Sequence, residues 1–232
     1  MKQQPQEITE TLATLGITEA ELQIVITNAM ADGYFTGTDG HPRNTCGTRL
    51  WQEAVKGVRD TLKLKGWIQP SRSDDIYASI ISPDNCYELV VWSGNKYTGI
   101  RAEKDKVQTK NGKGGGTSLR IQANLALPLN DSNISSIIKK QLIALIIYYD
   151  ESLKEVRYEI AKPIGTQFRF SKDEPLKKPK VSKFEWRVIY PALSLSHINI
   201  AVESKNQKET KTNPIEFTDE INIDIDLKGK NV

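Results

Sequence analysis

The sequence predicts an α+β protein: an N-terminal helical subdomain followed by a mainly antiparallel β-sheet or sandwich. Three observations carry this. Helical spacing of apolar residues is confined to the first third of the chain, the period changes to alternation after Pro70, and five apolar, β-branched runs follow Lys139. Helices and strands segregated in this way argue against a parallel βαβ arrangement. The division places a helical subdomain at 1–70 and a β domain at 71–232, which also read as one continuous domain.

Ile8, Leu12 and Leu15 keep a helical spacing that ends at Gly16. Thr18 and Glu21 then form a capping box ahead of Leu22, Val25, Ile26, Ala29 and Met30. A long polar loop, ADGYFTGTDGHPRNTCG from Ala31 to Gly47, precedes a third helix over Thr48 to Lys65, which Gly66 stops as a left-handed cap. Next, IYASIIS and CYELVVW flank a turn at Pro83 to Asn85 and predict a β-hairpin.

The run KDKVQTKNGKGGGTS, Lys104 to Ser118, reads as an exposed hairpin tip or as an anion-contacting loop. Leu119 to Leu129 has no clear state, and the cluster Asn130 to Ser136 marks an internal boundary. The five later runs, QLIALIIYY, EVRYEIAKPI, FEWRVIYPAL, HINIAVES and INIDIDL, are separated by exposed connectors that include Ser171 to Lys180 and Asn206 to Pro214.

Composition narrows the chemistry. The 232 residues are 38% hydrophobic and 26% charged, ordinary for a globular chain. Lysine and arginine total 32 against 29 acids, so any polyanion contact must come from a local patch. Two cysteines, Cys46 and Cys86, form no CxxC and no disulfide framework, which points to a reducing compartment. No signal-peptide pattern opens the chain, and the longest apolar run, Leu142 to Tyr149, is too short to span a bilayer. The expectation is a cytoplasmic protein with no membrane contact.

The third helix has two faces. At about 100° per residue, Trp51, Ala54, Val55, Val58 and Leu62 fall on one side, with Arg49, Gln52, Lys56, Arg59 and Lys63 nearly opposite. A helix followed by a β-hairpin is also the order in which winged-helix domains present a reading helix and a wing, although the long preceding loop departs from a helix-turn-helix. Between Arg101 and Arg120, six cations meet two acids. Nucleic-acid contact, to DNA or RNA, is therefore expected at Arg49, Lys56, Arg59, Lys63, Lys104, Lys106, Lys110 and Lys113, with both segments converging on one outward surface of the folded chain, against the plainer reading of solvated surfaces. Gly112 and Lys113 do not complete a phosphate-binding P-loop, because Gly114 follows where Ser or Thr is needed. Trp92 and Tyr97 are the nearby stacking candidates.

Catalytic patterns are sparse. Glu203, Ser204 and Lys205 follow a strand-like run and match the end of a PD-(D/E)xK nuclease site, with Asp150 or Asp84 as the metal-holding partner. His41 and His197 are the two histidines, and no HExxH, zinc set or GxSxG is present. His41 beside Cys46 reads as a polar loop histidine or a Cys-His pair. Asn222, Asp224 and Asp226 share one strand face, as a cation site or as edge protection. No cofactor is expected. The non-catalytic reading is an accessory or binding protein; the alternatives are the nuclease and a subunit that docks a protein partner through its β edges.

Several blocks taken together, ISPDNCYELVVWSGNKYTG, TKNGKG with Asn124, IIYYDESLKEVRYEIAKPI, FEWRVIYPA and INIDIDLK, resemble a family of bacterial proteins with no assigned activity. The resemblance spans Ile80 to Lys228. It implies a shared architecture and a bacterial source, and it transfers no catalytic residue.

Overall fold

The computed structural model describes residues 12–35, 45–70, 78–111, 115–124, 140–167 and 180–194. The expected capping box is present: Thr18 N–H donates to Glu21 Oε2 at 2.8 Å, and Glu21 N–H donates to Thr18 Oγ1 at 3.2 Å. It starts α1, Glu19–Phe35, which runs past the expected end at Met30. The predicted third helix is α2, Thr45–Lys63, starting three residues earlier than expected. The pair is antiparallel and close: a Cβ on Gly33 would lie 2.9 Å from the Leu50 nitrogen, and one on Gly57 would lie 2.9 Å from Val25. Gly66, at φ +82, closes α2 in a Schellman turn, with Trp67 N–H donating to Leu62 O and Gly66 N–H to Lys63 O. Lys65 then ties the two helices together, its ammonium reaching the Gly16 carbonyl and both Glu21 carboxylate oxygens.

The fold is α+β, as the sequence predicts. The predicted hairpin is β1, Ser79–Ile81, paired antiparallel with β2, Tyr87–Ser93. Beyond it come β3, Gln141–Asp150, β4, Glu155–Gln167, β5, Lys180–Ile189, and the two-residue β6, Leu193–Ser194. The sheet order is β1-β2-β3-β4-β5, with β6 also on β4. Its ladders are antiparallel with one exception: β2 and β3 run parallel, from Tyr87↔Gln141 to Ser93↔Ile147. That pairing overturns the expectation of no parallel βαβ unit, because parallel neighbours need a crossover between β2 and β3. The crossover carries a 3-10 helix, Arg101–Lys106, and α3, Gly115–Ala123. The described residues of Lys104 to Ser118 thus belong to a crossover and not to a hairpin tip, and the unassigned start at Leu119 lies in α3.

Helices therefore cover both faces of the sheet. On the first face, Leu22, Ile26, Ala54, Val58 and Leu62 from α1 and α2 share a core with Leu89, Val91, Ile143, Leu145, Tyr158 and Ile160. On the second, Val90, Trp92, Ala144, Ile146 and Ala161 enclose Ile121 of α3 with Val181 and Phe184. A strand covered on both faces needs apolar residues at every position, which is why Leu142 to Ile147 is buried without interruption.

The pairing of β4 with β5 is irregular. Register shifts between Ala161 and Thr166 bend β4, and Thr109 spans from β2 to β5: it bridges Gly94, donates its N–H to Val181 O at 3.0 Å and accepts from Val181 N–H at 3.1 Å. Pro163, with no N–H to donate, comes opposite Leu142 when the β3–β4 register is extended two residues past its last pair, Ala144↔Ala161. Asn124, just after α3, fills the gap. Its Nδ2 donates to Leu142 O and Pro163 O, and its Oδ1 accepts from Leu142 N–H, each at 2.8 Å. The runs HINIAVES and INIDIDL, with the acids at 222–226, lie outside the described residues.

Candidate functional site

The eight cations picked from the sequence do not converge. Arg49, Lys56, Arg59 and Lys63 belong to α2 on the first face, whereas the 3-10 helix and the strand-like turn at Thr109 and Lys110 belong to the crossover on the second. Within α2, Arg49, Lys56 and Lys63 are exposed, and Lys56 pairs with Asp60 at 3.5 Å. Arg59 departs from the stripe: half-buried, it donates from Nη2 to the Ser79 carbonyl at 3.2 Å. An edge strand leaves main-chain carbonyls without a ladder partner, and a nearby guanidinium satisfies one. On the crossover, Lys106 is held by Glu103 at 2.8 Å, which also raises the lysine's pKa, and Lys110 is exposed. The side chain of Lys104 and all of Lys113 lie outside the described residues. Arg120 turns inward to Glu88 at 2.6 Å.

A second constellation has members 60 residues apart in sequence and is not visible as a motif. Tyr97 has two ammonium groups over its ring, Lys96 Nζ at 5.2 Å and Lys106 Nζ at 5.4 Å from the centroid. Arg157 on β4 donates from Nη1 to the Lys96 carbonyl at 2.9 Å, ion-pairs with Asp150 and lies 5.2 Å over the Tyr148 ring. Its Nε is 3.0 Å from Glu155 Oε1, close enough for an ion pair though not aligned for a hydrogen bond. Two positions along, Glu159 is fully buried; it accepts from Gly99 N–H at 3.0 Å and pairs with Arg187 through both carboxylate oxygens. The side chains of one strand thus pin the loop 95–100 onto the sheet. The available signal was the alternation of Glu155, Arg157 and Glu159 with Val156, Tyr158 and Ile160, since charges on a buried strand face need partners.

The nuclease residues find no such assembly. Asp150 Oδ1 accepts from Ser152 N–H and Oγ and from Leu153 N–H, contacts that hold its pKa below the ordinary carboxylate value, while Oδ2 faces Arg157. Asp84 is likewise committed to its turn, accepting from Ser82 Oγ at 2.5 Å and Cys86 N–H at 3.0 Å. Glu203, Lys205 and His41 lie outside the described residues, and no group of three potential metal ligands occurs among the described ones. A crevice at Met30, Gly33, Cys46, Leu50 and Tyr149 has about 10 Å³ of room, enough for one water at most. No described helix is long and apolar enough to cross a membrane.

No family model, curated protein or solved structure matches the chain.

Proposed function

We propose that this is a non-enzymatic accessory protein that binds the backbone of DNA or RNA through the solvent stripe of α2. The observation that supports it is the placement of Arg49, Lys56 and Lys63, all exposed and seven residues apart. Two helical turns separate each from the next, about 10.5 Å along the axis, with a drift of only about 20° around it. The three cations therefore form one line along a straight helix. Asp60 offsets part of the charge at Lys56, so the contact is weak and of backbone type.

The test is a salt titration of binding to duplex DNA. Three phosphate contacts predict a slope of log K against log salt of about −2.7, reduced by about 0.9 for each of Arg49→Ala, Lys56→Ala and Lys63→Ala. Arg59→Ala should leave the slope unchanged, because that guanidinium is turned to Ser79. Absent binding at low salt, or salt-independent binding, rejects the proposal. A protein partner on the apolar side chains at the Gly66 turn is the second reading, favoured by Leu64 and Ile68, which are 90% and 63% exposed on either side of that turn. Leu64→Asp with Ile68→Asp would then abolish co-sedimentation of that partner while leaving the salt slope intact.

A further inference from the structure

We infer that Lys96 and Tyr97, backed by Tyr148 and Arg157, form a second contact that takes an unpaired nucleobase with its phosphate, making single strands the preferred ligand. This rests on the nucleic-acid reading of α2 and adds to it a separate site, on the opposite face of the sheet, for another class of strand. The loop is built for a fixed contact. Arg157 grips the Lys96 carbonyl, Glu159 grips the Gly99 N–H, and Asn95 spans the loop by donating to Lys106 O at 2.8 Å and accepting from Tyr97 N–H at 3.2 Å. The main chain at 95–99 is thereby anchored to buried groups while the Lys96 side chain stays in solvent.

The groups left over suit a base and a phosphate. Tyr97 and Tyr148 are half-buried rings with cations over them, Lys96 and Lys106 on the first and Arg157 on the second, and a base stacks on Tyr97 by displacing the exposed lysine side chains. Lys106 is occupied by Glu103 and Arg157 by Asp150, whereas Lys96 makes no ion pair among the described residues and is the cation available to a phosphate. Trp92, the other aromatic near this loop, is 3% exposed and packed in the second core, so stacking falls to the tyrosines. Bases within a duplex are already stacked on one another, so an aromatic contact of this kind discriminates for unpaired ones.

The experiment measures anisotropy of a labelled single strand of about 12 nucleotides carrying one 2-aminopurine, against its duplex. The single strand should bind more tightly and quench the 2-aminopurine on contact. Tyr97→Leu should weaken single-strand binding roughly tenfold and abolish the quench, with duplex affinity unchanged, and Tyr97→Phe should behave as the wild type. Lys96→Ala, a change at an exposed side chain, should weaken the single strand alone and serves if Tyr97→Leu lowers the melting temperature. Equal single-strand affinity in wild type, Tyr97→Leu and Lys96→Ala overturns the inference. If that occurs while the triple variant Arg49→Ala, Lys56→Ala, Lys63→Ala still loses duplex affinity, the α2 reading stands alone. If the triple variant loses nothing, or neither ligand binds at low salt, the α2 reading falls as well.

Discussion

Asn124→Ala removes a side chain that stands in for a missing stretch of β-ladder. Three hydrogen bonds of 2.8 Å disappear together, and the Leu142 N–H and the Leu142 and Pro163 carbonyls lose their partner. Each such bond contributes about 1 kcal/mol net, and the site is half-buried, so water replaces part of the loss; the expected destabilisation is about 2–3 kcal/mol. For a chain of this size that corresponds to a fall in melting temperature of roughly 4–12 °C. Urea unfolding followed by circular dichroism measures it, with an unchanged m-value as the sign that only stability has moved. Asn124→Asp sharpens the test: a carboxylate still accepts from Leu142 N–H but faces two carbonyls with no proton to donate, so it should be worse than Ala at neutral pH and partly recover in acid. A loss under about 0.5 kcal/mol for Asn124→Ala would refute the reasoning, since it would mean β3 and β4 need no bridge at Pro163.

Two further outcomes follow from other charged contacts. Glu21 is held to a pKa of about 2, below the ordinary 4.5, chiefly by its hydrogen bond to Lys65 and then by the Thr18 N–H. A carboxylate with a depressed folded pKa stabilises above pH 4.5, and the contribution fades as pH falls towards 2, so acid unfolding of Glu21→Gln should show a flatter dependence across that window. An identical pH profile for the two proteins would remove Glu21 from the account. Glu159→Ala leaves the Arg187 guanidinium, 8% exposed, and the Gly99 N–H without their partner, a loss of about 3–5 kcal/mol by denaturant unfolding. Glu159→Leu combined with Arg187→Met should recover most of it, and a double variant as unstable as Glu159→Ala would contradict that assignment.

What was legible in the sequence is what neighbours within a few residues decide. The capping box at Thr18 and Glu21, the Gly66 stop and the Pro83 to Asn85 turn all appear where local chemistry predicts them. The faces of α2 were legible too, except at Arg59, whose direction depends on a Ser79 carbonyl 20 residues away. The uninterrupted apolar run of β3 held a clue to its parallel, doubly covered place, but a run of that kind is equally consistent with a buried antiparallel strand.

Local spacing, then, determined by itself where helices start, where they stop and which side chains share a helical face, because those interactions reach only three or four residues along the chain. Only the tertiary structure decided that β2 and β3 run parallel, that the two basic segments lie on opposite faces of the sheet, and that Arg157 and Glu159 fasten a loop 60 residues earlier. The physical reason is that an unpaired carbonyl, a proline without its N–H or a buried charge must find a partner wherever the folded chain supplies one, and distance in space, unlike spacing in sequence, is set by the packing of the whole.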